Sequence, residues 1–377
     1  MELSLRREDF STLAGWADDR PAAAFAAFRR SAGFATTRKA YRTGSLGLSP
    51  SDFEQAYAAA LAQTVPESGY LSDLEARAFF ETWFRPVEIG SVGEGGFVTG
   101  FYEPEVEVSD RAESGFLYPF LRKPETLVKV PDPQDPPAGV ESGYAFMLDN
   151  AGEVTCCPDR QAIENGAFDG HGLEIAWARS RVDVFFAHVQ GCARLRFPDG
   201  RIERITYAAK SGHPFTGIGG LLVKRGELSA GTVSMASIRQ WLASHPDKAD
   251  SLMWENRSFI FFEKAEVESD DLGPVAAAKV PLEPGRSLAV DKRIHTFGTP
   301  IFVSAPDLQD FDDQRPFARL MIAQDTGTAI VGPARGDLFA GCGSEAGEKA
   351  GSIKAAARFV ILAPAGSEIA RRAGHEQ

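Results

Sequence analysis

Three aspartates stand where apolar runs stop. Leu320 to Ala323 reads as a buried strand, and the Asp325-Thr326-Gly327 after Gln324 reads as the turn that ends it. Upstream, Ser287-Leu-Ala-Val290 is another apolar strand ending in an acid, Asp291, and a short loop separates it from the strand Thr299 to Val303. Ala329 to Val331 is expected to begin a further short strand, with Gly332, Pro333 and Gly336 forcing a loop that presents Arg335 and Asp337 before Phe339 turns the chain inward. Asp beside Gly is ordinary turn chemistry, and Asp325 taken alone reads that way. Three strand-end acids between Asp291 and Asp337 read instead as one cluster. Carboxylates carried on loops at one edge of a rigid sheet can serve as general acids, general bases or stabilisers of positive charge.

The segment from Gly273 to Gly351 resembles the three-aspartate (3D) domain that closes the membrane-bound lytic murein transglycosylase A family. The matching pieces are Gly273-Pro-Val, Pro281-Leu-Glu-Pro-Gly-Arg-Ser-Leu-Ala-Val-Asp291, Gln324-Asp-Thr-Gly327 with Ala329-Ile330, Gly336-Asp-Leu-Phe339, and Ala346-Gly347 with Ala350-Gly351. The acids fall in order at Asp291, Asp325 and Asp337, and the resemblance gives the catalytic acid and base role to the last of them. Further pieces match in order. Thr99-Gly100-Phe101-Tyr102-Glu103 resembles the family's Thr-Gly-Tyr-Tyr, with Phe101 for the first tyrosine. Gln190-Gly191-Cys192-Ala193-Arg194 resembles Gln-Gly-Ser-Gly-Arg, and Lys210-Ser-Gly-His-Pro-Phe215 resembles Lys-Asn-Gly-x-x-Tyr. The resemblance covers roughly Phe97 to Ala363.

It implies a mainly β, α+β protein. Residues 1–104 and 272–377 would form a discontinuous double-psi β-barrel catalytic domain, residues 105–271 an inserted second β-barrel, and the glycan would lie in a groove between them. The reaction implied is non-hydrolytic cleavage of the β-1,4 bond between N-acetylmuramic acid and N-acetylglucosamine in peptidoglycan, leaving 1,6-anhydro-muramic ends. Asp337 would act first as acid and then as base, Asp325 and Asp291 in support. Thr99, Gly100, Tyr102, Glu103, Gln190, Gly191, Lys210, Phe215 and Arg335 are the substrate-side candidates, with positive potential concentrated at Arg335 and Lys210. Desolvation by Phe339 and repulsion from Asp325 are expected to raise the Asp337 pKa, while Asp325 stays ionised on turn amides. No cofactor or metal is implied. The partners implied are the peptidoglycan strand and cell-wall synthesis or divisome proteins, for a monomer working in the bacterial envelope.

Two other readings remain beside this one. An inactive peptidoglycan-binding module is compatible with the changes at Phe101, Cys192, Ala193, Ser211 and Phe215. Asp325-Thr-Gly is also the tripeptide of aspartic proteases, but that chemistry needs two aspartates sharing a proton, and the chain holds no second Asp-Thr-Gly or Asp-Ser-Gly.

The elements that must position these residues can be read more coarsely. A length of 377 residues suits two domains, 44% hydrophobic content allows a sizeable core, and a net charge of −12 argues against a nucleic-acid partner. Residues 8 to 86 read as helical. Pro21 to Arg30 carries Ala and Phe at helical spacing; Ser49-Pro50 caps and opens a helix through Gln63; Ser72-Asp-Leu-Glu75 is a capping box ahead of Phe79, Phe80, Trp83 and Phe84, and Pro86 is expected to end that helix. These aromatics read as core rather than sugar platforms. From Gly95 the character changes, with glycine among β-formers marking a strand approached closely by chain or ligand. Short β-like runs follow to Asp271, with one capped helix at Ser234 to Leu242 and a strand at Arg257 to Glu263. The four cysteines, Cys156, Cys157, Cys192 and Cys342, read as packing residues, and the six histidines show no paired metal spacing. The first residues hold no apolar core of secretory length, no run approaches a membrane span, and no cysteine before Cys156 could carry a lipid.

Overall fold

The computed structural model describes residues 3–91, 95–113, 115–267, 269–309, 311 and 314–372. Its chain forms two compact units, one of residues 1–102 with 267–377 and one of residues 103–266. Among the described residues seventeen strands follow one another in chain order. Strands β1 (Leu3–Arg7), β2 (Phe84–Ser91) and β3 (Gly96–Glu103) come first. The second unit follows with β4 (Glu105–Ser109), β5 (Tyr118–Leu121), β6 (Leu127–Lys129), β7 (Phe146–Asn150), β8 (Glu153–Thr155), β9 (Glu174–Ala178), β10 (Cys192–Arg196), β11 (Ile202–Lys210) and β12 (Ile260–Ala265). The last five are β13 (Ser287–Val290), β14 (Pro300–Ala305), β15 (Phe317–Asp325), β16 (Arg335–Cys342) and β17 (Lys354–Pro364).

In the first unit the strand order is β1-β2-β17-β14-β15-β13-β16-β3, and β17 also pairs with β3. That extra pairing closes six strands, β17-β14-β15-β13-β16-β3, into a ring without edges, leaving β1 and β2 as a ribbon on β17. The β13–β15 pair is parallel, and the β1–β2, β2–β17, β17–β14, β14–β15, β13–β16 and β17–β3 pairs are antiparallel. The closed strands are apolar over long stretches: Leu288, Val290, Ile301, Val303, Leu320, Ile322, Leu338, Val360 and Leu362 are all buried in one core. Helices Ala22–Thr37, Pro50–Ala62 and Asp73–Trp83 add Phe25, Phe28, Phe53, Phe79 and Phe80 to that same core. The expected aromatics are therefore core. Ser49 and Ser72 both close capping boxes, with Asp52 and Glu75 as reciprocal partners.

Two expectations for this region are corrected. The helical reading of residues 8 to 86 overlooked β2, and the third helix stops at Trp83 rather than Pro86. Pro86 lies inside β2 opposite Leu362 and one position past the last pair with β1, Arg7 with Val87, so its missing N–H interrupts no β1–β2 pair. Phe84 ends the helix by continuing extended, its amide bonded to the Phe80 carbonyl.

The second unit holds a six-stranded sheet, β12-β11-β10-β4-β9-β5, and a three-stranded sheet, β6-β7-β8. It is more helical than the sequence suggested: Arg181–Gln190, Ile218–Lys224 and Pro246–Trp254 join the expected Met235–Ser244, and Phe185, Phe186, Leu222, Trp241 and Leu252 form their shared core. The expected strand from Arg257 begins only at Ile260, because the carbonyls of Arg257 and Ser258 are taken by Arg160, which is fully buried. Both units together make the protein mainly β with helices, an α+β architecture. Among the described residues no helix is long and apolar enough to cross a membrane, and no disulfide joins the four cysteines. His375 lies outside the described residues.

Candidate active site

The three aspartates converge on β13. Ala289 is paired with Asp325 of β15 on one side and with Asp337 of β16 on the other. Directly paired residues of neighbouring strands point to the same face, so both carboxylates share a face and are separated by two strand spacings, roughly 9–10 Å between Cα atoms. That face also carries Phe339, two residues beyond Asp337, and Phe339 packs with Ala289, Phe101, Leu282 and Ile330 in a small apolar cluster. Here the sequence reading needs two corrections. Asp337 sits within β16, not on a loop, and Ala329 to Val331 forms no strand. Ile330 is drawn into the apolar cluster while Val331 is exposed, so the segment winds as a loop closed by the Ile330 amide on the Gly327 carbonyl.

Asp337 is held by one side chain from β3. The Thr99 hydroxyl donates to Asp337 Oδ1 at 2.5 Å and accepts from Arg335 Nη2 at 2.7 Å, linking the guanidinium to the carboxyl through one oxygen. Arg335 also donates to the Gly336 carbonyl and lies over the Phe97 ring, 5.6 Å from its centroid. Asp337 keeps part of its surface open and is surrounded by protein elsewhere. Burial pushes its pKa up, against the opposing pull of the Thr99 hydroxyl and the Arg335 charge. Burial is the largest cause of the rise, and the like charges of Asp337 and Asp325 oppose ionisation of the pair.

Asp325 ends β15 and accepts from the Ala277 amide at 3.2 Å and from the Thr326 amide. These amides hold it down less than burial pushes it up, and the neighbouring Asp337 adds to the rise, so its pKa reaches about 6. The expected amide contacts on Asp325 are present, and burial outweighs their lowering influence.

Asp291 behaves oppositely. It is buried, and that burial would raise its pKa, but hydrogen bonds from Arg293 and from the Gly332 amide overcome it and bring it to about 2. Arg293 is bidentate, Nε to Oδ1 at 3.0 Å and Nη2 to Oδ2 at 2.8 Å, while the Gly332 amide reaches Oδ2 at 3.1 Å. Asp291 thus touches the corner that leads into β16.

The remaining candidates divide between the units. Gly100 lies beside Thr99 because a Cβ there would meet Ile353 Cδ1 at 2.5 Å and the Ala350 carbonyl oxygen at 2.8 Å; the close approach expected at this glycine is made by chain, the end of helix Gly343–Ser352. Tyr102 is buried, and Gly347 of that helix packs on its ring. In the second unit, Glu103 is buried against Arg204 at 3.5 Å. Gln190 ends the helix Arg181–Gln190, capped by Gly191 at φ 77°, and Cys192 opens β10 with a buried side chain. Lys210 ends β11 half-buried, Ser211 accepts from the Phe259 amide, and Phe215 is exposed. Sequence reasoning missed Arg293, His295, Phe97 and the Ala277 amide. Arg293, two residues after Asp291, was legible as a turn partner; a backbone amide has no signature in sequence.

A closed β-ring carrying two carboxylates of raised pKa on one face defines a protein equipped for acid–base chemistry on a bound substrate. Comparison with known proteins gives that class its family. A model described as the MltA specific insert domain matches residues 97–263, and one described as the 3D domain matches residues 286–363. A solved membrane-bound lytic murein transglycosylase from Agrobacterium tumefaciens is 50% identical, with a TM-score of 0.90 over 98% of this chain and 99% of that one. Escherichia coli MltA with bound chitohexaose is 25% identical, with a TM-score of 0.64 over 91% and 90% of the two chains. Membrane-bound lytic murein transglycosylase A of Vibrio cholerae is 32% identical over 68% of this chain and 62% of that protein, so the match spans somewhat under two thirds of this curated relative. The chain belongs to the membrane-bound lytic murein transglycosylase A family.

Proposed function

We propose that this protein is a peptidoglycan lytic transglycosylase: it cleaves the β-1,4 bond between N-acetylmuramic acid and N-acetylglucosamine without consuming water and leaves a 1,6-anhydro-muramic end. The observation that carries this reading is Asp337, a carboxyl of raised pKa hydrogen-bonded by Thr99 on the same strand face as Asp325. Breaking a glycosidic bond needs an acid for the departing oxygen and a nucleophile for the oxocarbenium-like centre left behind. Protonated Asp337 gives its proton to the glycosidic oxygen as the C1–O bond breaks. The muramic C6 hydroxyl then bonds to C1, and its proton passes to the Asp337 carboxylate, which restores the starting acid. An intramolecular hydroxyl is already in place, so one carboxyl suffices and no second base need activate water. Ionised Asp325 stabilises the positive charge that develops on the ring.

The six-stranded ring is, in this reading, the double-psi β-barrel of a catalytic domain made of residues 1–104 and 272–377, with residues 105–271 inserted. Thr99 and Arg335 serve the glycan beside Asp337. The chitohexaose bound by the Escherichia coli relative supports a β-1,4-linked aminosugar strand as substrate. The membrane-bound relatives support work in the bacterial envelope.

Digestion of purified peptidoglycan by the wild type and by Asp337→Asn, with mass analysis of the released muropeptides, tests the reading. The wild type is expected to release 1,6-anhydro ends and the variant to release them at least about 10²–10⁴-fold more slowly, the range for losing a general acid–base. Hydrated reducing ends would make the protein a hydrolase with Asp325 as the second carboxylate. Glycan binding without any products would make it a binding module.

A further inference from the structure

Four consecutive residues that lead into Asp337 are each fastened to a different group. The Gly332 amide donates to Asp291, the Pro333 carbonyl accepts from His295 Nε2 at 2.8 Å, the Ala334 carbonyl accepts from the Phe97 amide at 2.9 Å, and Arg335 donates to Thr99. The first two fasteners come from one turn. The amides of Ile294 and His295 both donate to the Asp291 carbonyl at 2.9 Å, so Asp291 and His295 stand one turn apart and present both side chains to the Gly332–Pro333 corner. This turn is itself bolted down from behind. The Ser45 and Leu46 amides donate to the Arg293 and Ile294 carbonyls, and Thr296 Oγ1 donates to the Leu48 carbonyl while accepting from the Gly44 amide. Gly44 is obligatory there, since a Cβ would meet the Ile294 carbonyl oxygen at 2.2 Å.

His295 has 1% of its surface exposed. A carbonyl can only accept, so Nε2 carries the hydrogen, and Nδ1 has no partner. Burial pulls its pKa down against the raising influence of the Pro333 carbonyl and Asp291, so the ring is a neutral donor aimed at a single acceptor. An apolar side chain of like volume would fill the space but leave the buried Pro333 carbonyl without this donor. What the imidazole adds is the bond to Pro333, four residues before the carboxyl of Asp337.

We propose that His295 is a positioning residue for Asp337: together with Asp291 it brackets the Gly332–Pro333 corner and so fixes where β16 presents its carboxyl to Thr99 and to substrate. This rests on the reading of Asp337 as the reacting acid. The bracket accounts for the place of Asp291 in the three-aspartate set, because its carboxyl is spent on Arg293 and Gly332. It also gives the segment between Asp325 and Asp337 a fixed end just where the catalytic strand begins.

The test compares His295→Leu, which keeps the volume and removes the donor, with His295→Gln, whose amide N–H has the reach of Nε2. For His295→Leu, kcat for release of anhydro-muropeptides is expected to fall at least about tenfold with KM within about twofold, since displacements of about an ångström cost up to about 10²-fold. His295→Gln should recover most of the lost rate. In parallel, hydrogen exchange at the Gly332 amide should quicken at least about tenfold in His295→Leu and stay near wild type in His295→Gln, because loosening one clamp frees the other. Should His295→Leu fail to fold, His295→Asn takes its place, as its side chain is too short to reach the carbonyl. Unchanged kcat, or unchanged Gly332 exchange in the Leu or Asn variant, overturns the proposal. The exchange measurement needs no substrate, so it remains decisive if the wild type releases no anhydro products and the functional reading itself falls.

Discussion

The two carboxyls on the shared face differ from Asp291 in the sign of their contribution to folding. Asp325 has a folded-state pKa of about 6 against 3.8 for a free aspartate. Below pH 3.8 it is protonated in both states and contributes nothing either way. As pH rises towards 6 the unfolded chain releases its proton first, and the folded state is penalised by about 3 kcal/mol once both are ionised. Asp325→Asn should therefore gain about 1–3 kcal/mol of stability at pH 7, less what the amides of Ala277 and Thr326 lose as donors, and should gain only about 0.5 kcal/mol at pH 4. Urea unfolding at the two pH values measures this, and an equal effect at both would remove the burial cost from the account. Asp291 has the opposite sign: its pKa of about 2 stabilises the fold above the free-aspartate range and is lost as pH falls through about 2. Because the Arg293 side chain is exposed, solvent screens part of that gain. Charge at the centre of the set is held at a cost to the fold, and charge at its support is not.

At the scale of elements, the geometry depends on a strand and a helix meeting with no side chain between them. Gly100 follows Thr99 in β3, and its hydrogen faces Ile353 and the Ala350 carbonyl of the helix that follows β16. Gly100→Ala must push that helix away or displace β3, and overpacking of this kind costs about 1–3 kcal/mol. Thermal unfolding should show the loss, and muropeptide release should fall further than the folded fraction explains, because β3 carries the hydroxyl that orients Asp337. A variant of wild-type stability would mean that the helix end yields freely. Gly336 makes the same demand on the opposite strand, where a Cβ would meet Leu288 at 2.8 Å and Phe359 at 3.0 Å. Glycine beside a functional residue in each strand thus reflects close packing, the reason foreseen for Gly95 to Pro104 but not for Gly336.

At the scale of the whole molecule, the N-terminal segment belongs to the same unit as the C-terminal strands and is pinned to them by polar contacts as well as by aromatic core. Asp19 is buried and ion-paired with Arg286 at 2.8 Å, and it accepts from the Leu320 amide at 2.8 Å. Gln324, fully buried, donates to the Ala27 carbonyl and to Ser31 of helix Ala22–Thr37 and accepts from Ser287, so the residue before Asp325 ties β15 to that helix. Removing one partner of a buried pair strands the other charge. Arg286→Ala should cost about 3–5 kcal/mol, read from the denaturant midpoint, whereas a loss below about 1 kcal/mol would mean that water reaches Asp19. The cost falls on the barrel because Arg286 precedes β13 directly, and β13 is the strand that both carboxylate strands flank.

The sequence by itself determined what is local. Apolar runs named β13 and β15, the N-cap at Ser49 and the capping box at Ser72 opened the right helices, and the order of three acids pointed to one cluster and one family. Those signals survive because period, cap and motif are carried by residues close together in the chain. Other features had no local trace. Asp337 inside a strand, Thr99 as its hydrogen-bond partner 238 residues away, the Ala277 amide on Asp325 and the clamp of His295 on Pro333 were decided by tertiary pairing, which for Thr99 means the placing of β3 beside β16. Pro86 inside a strand and the loop at Ala329 to Val331 went against local expectation for the same reason, since which backbone groups are paired, and which side chains are buried, is settled only when distant strands meet. The direction of each pKa shift followed last, because it depends on how much solvent the completed fold leaves at each carboxyl.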